Sequence, residues 1–237
     1  MNRIIKQIYE SRFVQDADGN NISPFPTAIS EESGAILYDF IRDRGLHNTI
    51  EVGMAYGLST LYICEAHNVC GCGHHVSIDP YQEKYYKSIG RLNIQRAGLE
   101  KYSTVYIAPS HSVLPKLISS DERFDLAFID GSHLFDYALV DFFYIDMLLK
   151  QEGYVVLDDM WLPQIRKLAS FILKNRAYKA VPVTSRLGLG ARWFRFKRRL
   201  VQNPLQLDYS FKLSPYNIYI MQKTGTDSRT PTFHKFF

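Results

Sequence analysis

Hydrophobic positions between residue 48 and about 183 switch repeatedly between two periods, and that switching dictates the fold class. Short apolar and β-branched runs occur at Thr49–Val52, His75–Ile78, Thr104–Ala108, Leu126–Ile129, Tyr154–Leu157 and Lys179–Val183. Between them, apolar residues recur at helical spacing near 58–67, 82–97, 111–119, 134–149 and 161–175. Strands alternating with helices in this way form βαβ units, and hence a parallel sheet covered on both faces. A last strand over Asn217–Gln222 brings the sheet to seven. Within 134–149, a wide apolar stripe comprises Leu134, Tyr137, Ala138, Phe142, Ile145, Leu148 and Leu149, with Val140 partly included. It is expected to pack on the sheet as core, not to meet a ligand.

Ahead of residue 48 the pattern is different. A loop containing Asp16, Asp18, Gly19, Asn20, Asn21, Pro24 and Pro26 precedes a helix. Ser30 is its expected N-cap, Glu31 and Glu32 suit its first turn, and Gly45 closes it. The expected organisation is an N-terminal helical cap region over 1–47 and one α/β domain over 48–237. That domain is interrupted by an insertion at about 184–215, the kind of excursion that forms a lid, a binding loop or a small subdomain.

Composition narrows the class. The 237 residues can bury a substantial core, and a hydrophobic share of 46% with 22% charged is that of an ordinary globular protein. No apolar run approaches the roughly 20 residues that cross a bilayer. Lys6 and Gln7 interrupt the apolar start, so a secretory h-region is not expected and a cytoplasmic location is. The net charge of +4 traces to Arg186, Arg192, Arg195, Lys197, Arg198 and Arg199, a stretch with no acidic residue. Mixed there with Trp193, Phe194 and Phe196, these cations suit a solvated helix face over the site, or contact with nucleic acid or an anionic surface. Cys64, Cys70 and Cys72 are too few and too close for a disulfide framework. Together with His67, His74 and His75 they suggest zinc, but Cys70-x-Cys72 lacks the usual spacing. A packed cysteine and solvated loop histidines are the expectation.

Two sets of residues carry chemistry. The first is the turn Glu51-Val52-Gly53-Met54-Ala55-Tyr56-Gly57-Leu58-Ser59-Thr60. Its glycines bring the backbone against a ligand, and the following helix offers free N–H groups to an anion. Asp79, at the tip of the next strand, can accept hydrogen bonds from ribose hydroxyls. The spacing Gly53-x-x-x-Gly57 departs from the pyrophosphate motif and argues against a nicotinamide cofactor. The second set is Asp130-Gly131-Ser132-His133 followed by Asp158-Asp159. Each acidic element ends an apolar strand, and the two strands flank one helix, so a right-handed crossover puts their tips on one edge. Strands about 4.8 Å apart let Asp130, Asp158 and Asp159 converge. Such carboxylates repel one another unless a hard divalent cation such as Mg²⁺ joins them. Taken singly, each aspartate also suits a turn or a helix cap near Trp161, Ser110 suits an N-cap, and His133 suits a first-turn position that only orders Asp130.

The first set resembles the opening motif of class I S-adenosylmethionine-dependent methyltransferases. The resemblance implies a Rossmann-like methyltransferase fold and S-adenosylmethionine as cofactor. It places Glu51, Gly53, Ala55, Gly57 and Ser59 around the methionine part, Asp79 on the ribose, and Asp130 at the same site. Ala108-Pro109-Ser110-His111 is similar to the adenine-contacting stretch of catechol O-methyltransferase-like enzymes, which implies that role for Ser110 and His111. The second set resembles metal-dependent macrolide-sugar O-methyltransferases. That implies Mg²⁺ held by Asp130, Asp158 and Asp159, and His133 as general base. The activity so implied is methyl transfer to a hydroxyl of a small-molecule acceptor, with a homo-oligomer compatible. A catalytically silent binding protein and an RNA methyltransferase are the rival readings, both leaning on the basic stretch.

Overall fold

In the computed structural model, residues 1–183, 217–233 and 235–237 are described. Helix α1 (Arg3–Ser11) is capped by the Asn2 side chain, which accepts from Ile4 N–H, and it buries Ile5 and Ile8. A two-stranded hairpin follows, β1 (Val14–Gln15) with β2 (Asn21–Ile22). Helix α2 (Glu31–Arg44) starts where expected: the Ser30 side chain accepts from Ser33 N–H, and Gly45 ends the helix in the left-handed conformation. The alternating chain then lays down β3 (Asn48–Val52), α3 (Leu58–Cys70), β4 (His74–Ile78), α4 (Ile89–Arg96), β5 (Ser103–Tyr106), α5 (Ser110–Ser119), β6 (Phe124–Ile129), α6 (Phe135–Leu148), β7 (Leu149–Leu157), α7 (Pro163–Asn175), β8 (Tyr178–Ala180) and β9 (Tyr219–Lys223).

The sheet has seven strands in the order β5-β4-β3-β6-β7-β9-β8. Pairings from β5 through β7 are parallel, and β9 runs antiparallel to both its neighbours. Period-two alternation splits the core between the two faces. Leu126, Phe128, Val156 and Ile220 meet the layer containing Leu37, Ile41 and Leu61. Ala127, Ile129, Val155, Leu157 and Met221 meet the layer containing Phe142, Ile145 and Leu168. Helices therefore cover both sides, as the strand–helix alternation requires.

Three expectations change in detail. Residues 80–88, predicted to open a helix at 82, form turns, and α4 begins only at Ile89. Gln82 is fully buried and donates to Ala55 O at 2.7 Å and Asp79 Oδ2 at 3.0 Å, which holds the chain out of helical register. The apolar stripe of α6 is too wide to be core throughout. Ala138, Phe142, Ile145 and Leu148 are buried, whereas Leu134 and Tyr137 stand 59% and 55% exposed and Val140 44%. A helix offers the sheet one face only, so the flank bearing Leu134 and Tyr137 turns elsewhere. The cap roles offered to single residues also fall away. Pro109 precedes α5, so Ser110 is its first residue, and Leu162 precedes α7, clear of Asp158 and Asp159.

Candidate active site

Beneath the glycine-rich turn the sheet is polar. Thr49 and Glu51 on β3, and His75 and Ser77 on β4, point toward α3 and are fully buried. They form a chain. His67 Nε2 of α3 lies 2.8 Å from Thr49 Oγ1, which lies 2.9 Å from His75 Nδ1. His75 Nε2 stands 3.3 Å from Glu51 Oε1. Glu51 accepts from Ser77 Oγ at 2.8 Å, Ser59 Oγ at 2.7 Å and Thr60 Oγ1. Burial opposes ionisation of Glu51, but the His75 charge and the hydroxyl hydrogen bonds outweigh it and hold the pKa below the ordinary carboxylate value.

That chain fixes the first turn of α3. Above it, Gly53 and Gly57 adopt φ of 92° and 78°. A Cβ on Gly53 would stand 2.1 Å from Asp130 O, and one on Gly57 would stand 2.9 Å from Gly90 Cα, so both turns exist only with glycine. Asp79 braces the same turn. Its Oδ2 accepts from Met54 N–H at 3.2 Å and Ala55 N–H at 2.7 Å, and its Oδ1 from Tyr81 N–H at 2.7 Å.

A cavity of about 690 Å³ opens over this floor. Gly53, Ala55, Ser59, Asp79, Ser110, His111, Asp130 and His133 line it, so the structure brings these sequence-predicted residues together. Glu51 and Gly57 are not among the lining residues. Glu51 lies below the floor, its oxygens taken by the buried hydroxyls, and it acts on the cavity only through Ser59 and Thr60. Ser59 spends its hydroxyl proton on Glu51, which leaves its backbone N–H, in the first turn of α3, to face an anion.

The acidic edge forms as the crossover rule requires. Ile129 and Leu157 are register partners on adjacent parallel strands, and Asp130 and Asp158 follow them directly. Asp130, His133 and Asp159 place one ligand atom each within 4.8 Å of one another. His133 Nε2 stands 3.2 Å from Asp159 Oδ2. Asp158 stands outside that trio. Asn217 Nδ2 at the edge of β9 donates to Asp158 Oδ1 at 3.0 Å and to Asp159 Oδ1 at 2.9 Å, and Trp161 Nε1 adds a bond to Asp159 Oδ1 at 2.8 Å. Burial, followed by the charges of Asp158 and Asp159, drives the Asp130 carboxyl well above its ordinary pKa. Burial and the Asp159 charge push Asp158 up to about 7. The set fits a hard cation: crowded carboxylates are strained as anions and relieved by a divalent charge.

Other residues join the site without a local signal in the sequence. Thr27, Ala28 and Ile29 reach the cavity from the N-terminal region, and Tyr81, Tyr86, Leu134, Tyr137 and Asp141 line its walls. Leu134 and Tyr137, read from the sequence as core, are thus wall residues. Asn217 could be found only through the pairing of β9 with β7. The Cys/His cluster disperses. His67 and His75 belong to the buried chain, contrary to the expectation of solvated histidines, while Cys72 Sγ lies 3.3 Å from His47 Nδ1 and His74 Nε2 lies 2.9 Å from Thr104 Oγ1. Cys64 is buried, as expected of a packed cysteine. The basic stretch Arg186–Arg199, and with it the insertion at 184–215 and the two rival functional readings, lies outside the described residues. Among those residues, no helix is long and apolar enough to cross a membrane.

Residues 50–160 match a family model described as a methyltransferase domain. No curated protein sequence matches the chain. Solved structures do match in fold. An O-methyltransferase from Bacillus cereus in complex with SAH is 17% identical, with a TM-score of 0.64 over 94% of this chain and 90% of that one. The O-methyltransferase TomG from Streptomyces achromogenes, involved in tomaymycin synthesis and solved with SAM, is 16% identical, with a TM-score of 0.62 over 95% and 91%. The SAH-bound Podospora anserina methyltransferase PaMTH1 is 17% identical, with a TM-score of 0.58 over 78% and 85%. From the glycine turn through the acidic strand tips, residues 50–160 match the methyltransferase-domain model, and the seven-stranded sheet has the fold of the solved methyltransferases.

Proposed function

We propose that this protein is an S-adenosylmethionine-dependent O-methyltransferase that uses a hard divalent cation and acts on a hydroxyl of a small molecule, a sugar, diol or catechol-like metabolite. The observation that carries the reading is the continuity of the cavity. The glycine turn and Asp79 line the same cavity as Asp130 and His133, which stand next to Asp159. The relatives solved with SAM or SAH support the choice of cofactor.

Each residue then has a task. The α3 N-terminus, held by Glu51 through Ser59 and Thr60, presents backbone N–H groups to the cofactor's carboxylate. Asp79 faces the ribose with acceptor capacity left on Oδ1, which takes a single described bond. Asp130 and Asp159 would hold the cation, with Asp158 and Asn217 ordering the edge behind them. A divalent ion there would lower the acceptor hydroxyl's pKa and fix its position. With His133 Nε2 3.2 Å from Asp159 Oδ2, a neutral imidazole protonated on that nitrogen would leave its Nδ1 lone pair for the acceptor's proton. Bound there, S-adenosylmethionine would supply the methyl group to the acceptor oxygen, its sulfur leaving with the electron pair of the C–S bond. Holding the two reactants in line supplies much of the acceleration.

The test is a panel of vicinal diols, catechols and sugars incubated with S-adenosylmethionine, with formation of S-adenosylhomocysteine as the readout. Turnover of at least one diol that stops on chelation and returns with Mg²⁺ or Mn²⁺ is expected. Turnover indifferent to the chelator would refute the metal half of the reading.

A further inference from the structure

Below the cavity floor, His75 is a buried titratable group that the chemistry above leaves unused. It sits on β4 with no exposed side-chain surface, its Nε2 3.3 Å from Glu51 Oε1 and its Nδ1 2.9 Å from Thr49 Oγ1. Among the described residues, Nε2 has no other partner. Glu51 itself is met by donors, the hydroxyls of Ser59, Thr60 and Ser77. A carboxylic acid would need an acceptor for its own proton, and this shell is that of an acceptor. Glu51 is therefore a carboxylate, and a fully buried carboxylate is costly without a countercharge.

Among the described residues of this layer, one side chain can supply that charge. His67 on α3 is neutral, because burial and the neighbouring histidines push its pKa down to about 3. Cys64, also on α3, is kept as a thiol by burial. Asp130 at the tip of β6 senses the Glu51 charge but can add only more negative charge. Thr49 Oγ1 lies 3.4 Å from His74 O, and donating its one proton there leaves lone pairs for both imidazoles. His75 then carries a proton on each ring nitrogen.

That charge matters at the cavity. Ser59 donates to Glu51 and also lines the cavity, so the carboxylate lies one hydroxyl away from the α3 N-terminus. Unbalanced, it would oppose the positive end of the helix dipole, which attracts an anion. Paired with an imidazolium, it leaves the floor neutral and the dipole prevails.

We infer that His75 is a positioning residue for the cofactor's carboxylate: as an imidazolium it cancels the charge of Glu51 beneath α3, so that the first-turn N–H groups meet an anion over a neutral floor. The inference rests on the reading of this cavity as the S-adenosylmethionine site, and adds to it a residue that does not line the cavity.

Two measurements test it. Nitrogen NMR of the wild type at neutral pH should show His75 protonated on both ring nitrogens; a neutral imidazole overturns the inference without need of a variant. Calorimetry then compares S-adenosylhomocysteine with an analogue that lacks the carboxylate. His75→Gln should weaken S-adenosylhomocysteine about tenfold, the order expected of one unit charge acting through protein, and leave the analogue within about twofold of its wild-type affinity. The double variant His75→Gln/Glu51→Gln removes both charges and should restore S-adenosylhomocysteine binding to within about threefold of wild type. Equal weakening of both ligands, or a double variant as weak as the single one, overturns the inference, because a purely structural role for His75 predicts both. A wild type that binds no S-adenosylhomocysteine although His75 is doubly protonated overturns the cofactor reading itself, and this inference with it.

Discussion

His75 Nε2 and Glu51 Oε1 face each other at 3.3 Å across adjacent strands, with neither side chain exposed. The pair lies at the centre of the polar layer under α3, where a layer of aliphatic residues would ordinarily sit. Its consequence is local. The Glu51 carboxylate receives the Ser59 and Thr60 hydroxyls, so the end of α3 that borders the cavity is anchored to the sheet by charge-assisted hydrogen bonds. Removing one member of a buried carboxylate–imidazole pair costs about 3–5 kcal/mol. Glu51→Ala is therefore expected to lower the unfolding free energy measured in urea by that much and to weaken S-adenosylhomocysteine binding. Glu51→Gln retains an acceptor and should cost less, about 1–2 kcal/mol. Equal stability of Glu51→Ala and the wild type would remove the anchoring role.

The same layer makes stability depend on pH. Burial, reinforced by the neighbouring histidines, pushes the His67 pKa down to about 3 from its ordinary 6.5. Below pH 6.5 the unfolded chain takes up a proton that the native protein refuses. The contribution is therefore fully present above pH 6.5 and is lost as pH falls toward 3, by up to about 1.4 kcal/mol per pH unit. Urea midpoints measured between pH 7 and 5 should fall, and His67→Gln should flatten the slope. A slope unchanged in the variant would assign the dependence to other groups.

Gly53 and Gly45 separate close packing from backbone strain. Both have positive φ, but a Cβ at Gly45 finds its nearest atom 3.9 Å away, against 2.1 Å at Gly53. Gly45→Ala should cost about 1 kcal/mol and leave the cavity intact. Gly53→Ala must displace the Asp130 backbone, so its expected cost exceeds the 1–3 kcal/mol of strain alone. It should also abolish S-adenosylhomocysteine binding. Matching melting temperatures for the two variants would contradict the contact.

His133 can be a base or a ligand, and one variant distinguishes the roles. As the base, its replacement in His133→Ala should lower turnover about 10²- to 10⁴-fold with cofactor and divalent-ion affinities preserved. If the divalent ion is lost together with turnover, His133 belongs to the coordination set instead.

Much of the fold was legible because its signals are local. Apolar strands ending in Asp130 and Asp158, one helix apart, imply adjacent parallel strands, and the register of Ile129 with Leu157 bears this out. Ser30 and Gly45 mark the ends of α2 for similarly local reasons. What escaped depends on distant partners. Gln82 blocks a helix because its amide is claimed by Ala55 and Asp79. Leu134 and Tyr137 have the same periodicity as true core residues, and only the position of α6 over the sheet shows which flank faces the cavity. Asn217 is a single polar residue whose importance arises entirely from what it meets across the fold.

The most direct test of the central claim is a titration of Mn²⁺ or Mg²⁺ into the protein saturated with S-adenosylhomocysteine, followed by calorimetry, with Asp159→Asn in parallel. One divalent site in the wild type, weakened at least about tenfold in the variant, is the predicted result. A cofactor-loaded protein that binds no divalent ion, or binds it equally well without the Asp159 carboxylate, would contradict the account.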